Sequence, residues 1–463
     1  MWRRWSKRVP ILAADGSGKR LTIDSSADLS SGYSLFAGTV VQVMSPSLAR
    51  EVLVEKADNF LRWIPFVPKG GLFTSEGDEY KRHHKVLSSA MRRDFITSLN
   101  SVIDRTAEDL IVTIQKNQSS SGSIDDTFEL IFKQVSKSIL TLTYGDTPLA
   151  RELVAASAEM FGRDLSSLAT LLPTGLAKCV PIPSVQKRVN NAQTARRYYT
   201  ATHYTTHRST TFSFQRLQQV VLNTIRGKES QEDQDAYKET LLSMLEQANV
   251  SAGSILTDYE ILSNAVGFGV GGNDSTSSGL TSLIYLLGKH PQVQTKLRNL
   301  RKAEGKEDEY QSFLHAVVRE AHRLHPPFTT ALTRYAQEDD QLGGYIIPKG
   351  VGVTVDILAL NRDERNWGNA TTFDPERYNS VNNTTSHNKD SRTSFTFGMG
   401  KRMCIGMRVA RSLTHRWAEE LVDKFNIVAP QEDVEFDASF GGVMKPKKPL
   451  RMIFQPLAVG KGH

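Results

Sequence analysis

The spacing of apolar positions changes character several times along the chain. Residues 33–44, YSLFAGTVVQVM, carry the β-branched and aromatic content of a hairpin. Ser45-Pro46 then reads as an N-cap followed by proline at the first helical position, opening a helix through SLAREVLVEKA. Long helical patterns dominate residues 100–325, broken by polar loops at KNQSSSGS (116–123) and RGKESQEDQD (226–235). After Pro326-Pro327 the pattern shortens into strands and turns such as GGYIIPKGVGVTVDI. A helix returns from about Ile405 to Phe425, and strand-like segments close the chain near 433–455. The stretch NSVNNTTSHNKDSR (379–392) is almost wholly polar and reads as an exposed loop whose N-x-T sequons are chance occurrences. No internal repeat is visible. The pattern predicts a mainly α chain with a smaller β region, in the α+β class.

One helix stands apart. Thr257 and Glu260 form a capping box, and the pattern runs through ILSNAVGFGVGGNDSTSSGLTSLIYLL to a stop at Gly288 and Pro291. At 1.5 Å per residue such a helix spans roughly 45 Å. Its ends are apolar and its middle is GGNDST. Two interior glycines cost about 1 kcal/mol each, and a buried Asp274 costs more unless it is hydrogen-bonded. A core helix weakened and made polar at its midpoint predicts a site there. The alternative is two helices joined by a Gly-Gly-Asn-Asp turn.

Composition narrows the classes. The chain has 463 residues, 39% of them apolar, enough for a sizeable core in one large domain over 1–463. Its two cysteines, Cys179 and Cys404, form neither a disulfide framework nor a zinc-finger spacing, and fit a reducing compartment. The net charge of +7 suits an acidic partner or an anionic membrane; with no nucleic-acid motif, nucleic acid is not an expected partner. The basic start MWRRWSKRVPILAADGSGKR holds no apolar run long enough for a signal peptide or a spanning helix. The expectation is a cytoplasmic protein, or one on the cytoplasmic side of the endoplasmic reticulum if an anchor has been removed.

Cys404 lies in FTFGMGKRMCIG, residues 395–406, just before a helix-forming run. A cysteine at a helix N-terminus meets unpaired N–H groups and the positive end of the macrodipole, which favour the thiolate. Lys401 and Arg402 are expected to add positive charge, and Gly398, Gly400 and Gly406 to let the backbone approach something large and flat. A thiolate of this kind suits an axial haem ligand. The alternative is a structural free cysteine, the commoner fate of a lone one.

The pattern F-G-x-G-x-R-x-C-x-G resembles the haem-binding signature of the cytochrome P-450 family, here Phe397, Gly398, Gly400, Arg402, Cys404 and Gly406. REAHRLHPP resembles the family's E-x-x-R as Glu320 and Arg323, and FDPERY the segment whose arginine, Arg377, joins that pair in a structural charge network. GGNDST resembles the central-helix motif of an acid followed by a hydroxyl, with Ser275 where threonine is usual and Thr276 after it. In GDEYKRHHKVL, Tyr80 and His84 take the places of the family's W-x-x-x-R; the alternative is that His83 and His84 are exposed histidines. Arg334 resembles a strand arginine that meets a haem propionate. The resemblance covers nearly the whole chain and is nearest the eukaryotic microsomal branch, without its amino-terminal anchor.

The resemblance implies a P-450 fold with haem b between the long central helix and the cysteine-loop helix, Cys404 as the iron ligand, and O2 as co-substrate. Asp274, Ser275 and Thr276 would relay protons beside a groove widened by Gly271 and Gly272, while Arg402, His84 and Arg334 neutralise the propionates. The implied substrate is a lipophilic small molecule, lined by Ala265, Val266, Gly269, Val270, Thr329, Thr330, Ala331 and Phe440, for each of which ordinary core packing is the alternative. Electrons would come from NADPH through a diflavin reductase, or from a ferredoxin. The partner would be steered by Lys81, Arg82, Lys85, Arg92, Arg93, Lys401, Arg402, Arg408, Arg411 and Arg416, unless these are a solvated basic face. The implied protein is a monomer with peripheral membrane contact. Other haem-thiolate chemistry (peroxygenase, peroxide rearrangement, oxidative coupling) and a non-catalytic haem- or ligand-binding protein are the alternatives to a monooxygenase.

Overall fold

The computed structural model describes residues 11–14, 20–21, 29–34, 38–62, 70–91, 97, 99–118, 122–145, 237, 239–378, 394–438 and 442–457, with side chains from Val40 onward except that of Val270. Cys179, Arg92, Arg93, Phe440 and the loops at 226–235 and 379–392 lie outside the described residues. The chain packs as two compact units, each built from separated segments: residues 1–66 with 319–407, and residues 67–318 with 408–463.

The first unit is organised by a five-stranded sheet in the order Leu29–Ser34, Gly38–Val43, Gly352–Val355, Arg334–Ala336, Phe60–Arg62. The pair Gly38–Val43 and Gly352–Val355 is parallel and the other neighbours are antiparallel. Every residue of Gly352–Val355 is buried, as befits a central strand covered on both faces. Val41, Val43, Phe60 and Val353 form the floor of the core, with Val52 and Leu53 packed against them. Pro46 opens a short helix as expected, but Ser45 gives no side-chain cap; its Oγ pairs with Ser47 Oγ instead. The α-helix ends at Arg50, and Glu51–Glu55 continue as a π turn.

The second unit is helical. Thr127–Tyr144 lies along Asp258–Lys289, with Asn100–Asn117 against it. Asp258–Lys289 is one continuous helix of 32 residues, opened by the reciprocal Thr257–Glu260 capping box. The two-helix alternative is thereby set aside. Gly272 admits Ile139 of the neighbouring helix, since an added Cβ would meet its side chain at 3.3 Å. Gly288 lies against the backbone of Ala429, where a Cβ would come within 2.7 Å.

The helix after the cysteine begins at Met407 and ends at Lys424. Phe425–Val428 then pairs with Met452–Pro456 in a three-stranded sheet completed by Ser123–Ile124. A hairpin, Phe436–Ala438 with Met444–Pro446, follows. No helix among the described residues is long and apolar enough to cross a membrane.

Candidate active site

The cysteine loop is held by its own backbone. Gly398 N donates to Phe395 O, Cys404 N to Phe397 O, and Met403 N to Gly400 O, closing a tight turn over Gly400–Arg402. Gly398 and Gly400 have φ of +72° and +71°, a region where a Cβ is strained. Their surroundings differ. A Cβ on Gly400 would meet Leu53 O at 2.5 Å, so this glycine serves packing within the protein and not approach to a flat ligand. A Cβ on Gly398 would find nothing closer than 4.0 Å, leaving open space beside the sulfur loop.

Cys404 keeps accessible surface, yet burial is the largest influence on its thiol and pushes it up. The backbone N–H groups of Gly406 and Met407 and the charge of Arg62 pull the other way without prevailing. The expectation that the helix N-terminus and its N–H groups lower the thiol, with Lys401 and Arg402 adding positive charge, is therefore corrected: desolvation outweighs the donors, and the cation that acts on the sulfur is Arg62. Lys401 is engaged by Asp58, and Arg402 lies buried with its carbonyl accepting from Arg62 Nη2 at 3.0 Å. A bound metal cation would deprotonate the thiol outright.

The sheet beside this loop carries a feature that pattern reading passed over. Arg62 and Arg334 are directly opposed on neighbouring antiparallel strands. Arg334 is buried, with Nη1 donating to Phe60 O at 3.2 Å. Like charges directly opposite one another repel, and burying them adds a desolvation cost. An anionic ligand relieves both. A soft sulfur, buried guanidinium groups and an open glycine face form a donor set that fits haem with its propionates.

Glu320, Arg323 and Arg377 come together as one network. Arg323 makes a bidentate pair with Glu320 at 2.8 Å, and Arg377 Nε donates to Glu320 Oε1 at 2.7 Å. Arg323 also donates to the carbonyls of Asn361, Ala370 and Thr372, and Asp374 N donates to Glu320. The network reaches the cysteine loop through His322, whose carbonyl accepts from Thr396 Oγ1 at 3.2 Å and whose ring meets Phe397 edge-on.

At the midpoint of the long helix Asn273, Asp274, Ser275, Ser277 and Ser278 each have a side-chain bond. Asn273 Oδ1 accepts from Ser136 Oγ at 2.8 Å, and Asp274 pairs with Lys445 at 3.2 Å. Ser275 Oγ donates to Gly271 O at 2.8 Å, Ser277 Oγ to Asn273 O, and Ser278 Oγ to Met444 O at 2.5 Å. Thr276 is buried. The helix runs unbroken through Gly271 and Gly272, the first facing open space and the second packed on Ile139. Burial pushes the Asp274 carboxyl up, opposed by the Lys445 ammonium.

Tyr80 and His84 stand one turn apart on the helix Gly77–Ala90, their rings 5.3 Å apart. His83 is not exposed, contrary to that alternative; it is wholly buried. Leu72 N donates to Asn264 Oδ1, and Asn264 Nδ2 donates to Glu260 O, which fixes the amide. Asn264 Nδ2 therefore also donates to His83 Nδ1 at 2.9 Å, and the imidazole carries its proton on Nε2, 3.5 Å from Glu260 Oε1. Glu79, His83 and Glu260 hold potential ligand atoms within 4.8 Å of one another. A protonated Nε2 is no metal ligand, and Arg82 already occupies Glu260 in a bidentate pair.

That pairing also changes the basic face. Lys81 is paired with Asp78, Arg82 with Glu260, Lys401 with Asp58, and Arg416 with Asp104, Glu419 and Glu420. Much of the charge expected to steer a partner is balanced within the protein. Among the candidate lining residues, Ala265 and Thr329 are buried, while Val266, Gly269, Thr330 and Ala331 retain partial exposure. Thr330 bridges Asp356, and Ala331 is tied into Val355 and Thr354 by its backbone.

Comparison with known proteins fits this arrangement. A family model for cytochrome P-450 matches residues 32–454. The chain is 33% identical to cytochrome P-450 3A40 of Oryzias latipes over 210 residues, 43% of this chain and 41% of that protein. It is 24% identical to human cytochrome P-450 4F12 over 433 residues, 86% of this chain and 78% of that one. The match spans about half the length or less of the first curated relatives. A cyanobacterial CYP120A1 with bound retinoic acid shares the fold, with a TM-score of 0.73 at 19% identity over 93% of this chain and 92% of that one. The chain belongs to the cytochrome P-450 family.

Proposed function

We propose that this protein is a haem-thiolate monooxygenase that inserts one oxygen atom from O2 into a lipophilic small molecule. The observation that carries the reading is the Cys404 loop, with backbone N–H groups aimed at the sulfur and an opposed arginine pair in the adjoining sheet. Haem b is the family's cofactor, and when bound it supplies the O2 activation that side chains cannot. Cys404 would hold it through sulfur. Arg402, Arg334 and Arg62 would balance its propionates, with Tyr80 and His84 as further hydrogen-bonding groups.

Asp274 would hold and pass protons, a role that suits a carboxyl whose ionisation is contested between burial and a neighbouring ammonium. Ser275 offers a hydroxyl already oriented by Gly271 O, and Thr276 a second. Glu320, Arg323 and Arg377 support the loop and take no part in the chemistry. A lipophilic substrate agrees with the retinoic acid bound by the cyanobacterial neighbour. Ala265, Val266, Gly269, Val270, Thr329, Thr330, Ala331 and Phe440 are the proposed lining. Electrons would reach the site from NADPH through a diflavin reductase on the cytoplasmic face of the endoplasmic reticulum.

The test is spectroscopic. The reduced protein with carbon monoxide is expected to show the red-shifted Soret band of thiolate-ligated iron, and Cys404→Ala to lose it. A wild-type protein without the band, or a variant that keeps it, overturns the reading. Turnover supported by a diflavin reductase and not by a ferredoxin would support the proposed electron donor.

A further inference from the structure

The hairpin near the carboxyl end is fastened along one face of the long helix. Ser278 Oγ donates to Met444 O at 2.5 Å, Val434 N donates to Tyr285 OH at 3.1 Å, and the Tyr285 and Phe436 rings are 5.3 Å apart. One helical turn before Ser278, Lys445 reaches Asp274, Nζ to Oδ1 at 3.2 Å. Lys445 is only 9% exposed and Asp274 23%. A lysine is seldom buried without a specific partner.

Described charges flanking the hairpin strands pair with one another. Lys447, two residues on, takes both Glu435 and Asp437, the latter being the cross-strand partner of Lys445. On the adjoining helix Thr127–Tyr144, the group that faces Lys445 is the ring of Phe128, 5.4 Å from the ammonium. Lys445 is also the charged group that acts on Asp274.

We propose that Lys445 is a positioning residue for Asp274, holding the acid oriented and able to ionise inside the polar midpoint of the helix. The proposal rests on reading Asp274 as the proton-handling acid. Burial alone favours the neutral carboxyl, and a group fixed in one protonation state cannot alternately take and give a proton. The ammonium restores access to the anion. Because Lys445 sits on the hairpin and the Ser278–Met444 bond sets that strand's height on the helix, the readiness of the acid is a property of hairpin docking.

The experiment is a pH titration of the ferric holoprotein by difference infrared spectroscopy, with no turnover. The Asp274 carboxyl band is assigned by its loss in Asp274→Asn. Lys445→Met is expected to move the midpoint of that band to higher pH, and Lys445→Arg to return it towards the wild-type position. Should Lys445→Met not fold, Lys445→Gln, which keeps a hydrogen bond and removes the charge, carries the same expectation. An unmoved midpoint in the neutral variants, or an equal movement in Lys445→Arg, overturns the proposal. The carbon monoxide spectrum of the same samples judges the haem-thiolate reading separately: loss of that band in the wild type sinks the family mechanism, whereas an intact band with an unmoved carboxyl sinks only the role of Lys445.

Discussion

Two ion pairs in this protein, one wholly buried and one partly exposed, are built to opposite ends. Glu320 is surrounded by donors, from Arg323, Arg377 and the backbone of Asp374, and Arg323 spends its remaining N–H groups on three carbonyls. Asp274 has one charged partner, Lys445, through a single hydrogen bond. A saturated network has one arrangement and resists change of charge. A pair joined by one bond can open, and its acid can change protonation. The first suits a support and the second a group that handles protons.

Breaking each should separate them. Glu320→Ala leaves the Arg323 guanidinium buried without its countercharge, and the loss is expected to be about 3–5 kcal/mol. It is read as a fall in the urea midpoint and in the yield of haem-bearing protein. Gly400→Ala comes next: a Cβ at φ +71° and 2.5 Å from Leu53 O is expected to cost about 1–3 kcal/mol. Gly398→Ala has equal backbone strain but open space, so it should lose less stability and impair haem retention more; equal effects in both assays would refute the distinction.

Lys445→Met is expected to cost about 1 kcal/mol near neutral pH, since Asp274 can answer the loss by taking up a proton. The sign of the pH effect follows from the raised carboxyl. The folded state keeps the Asp274 proton to higher pH than the unfolded chain does, so Asp274 lowers stability as pH rises from the ordinary carboxylate range through its raised value. Asp274→Asn should flatten that slope, and Lys445→Met should extend it upward in pH.

The smallest effect belongs to Arg82→Ala. Glu260 is pulled down to about 2, chiefly by its hydrogen bonds with Arg82. Its stabilisation is present above the ordinary carboxylate range and is lost as pH falls towards 2. Arg82 is 36% exposed and screened, so at neutral pH about 0.5–1 kcal/mol is expected. Urea midpoints of wild type and variant should converge in acid.

Much of the architecture is written locally. The long helix could be read because a capping box and a helical stop lie at fixed offsets from its own residues, and the cysteine turn because glycines are needed where φ is positive. Other features leave no local mark. Phe425 reads as the end of the preceding helix and instead opens a strand, Phe425–Val428, because Met452–Pro456 pairs with it. His83, next to His84 in a polar run, is buried with its ring nitrogen paired to Asn264, 181 residues away.

The sequence by itself determined the types of group available: a lone cysteine before a helix, an acid and hydroxyls at the centre of another, an i, i+3 ion pair. Their chemistry is short-range, set by backbone conformation and neighbours a turn away. Only the tertiary structure decided which charges act on which. Arg62 and not Lys401 bears on Cys404, Arg62 faces Arg334, and Lys445 holds Asp274 across 171 residues. Electrostatic coupling depends on distance and burial in space, and a linear pattern records neither.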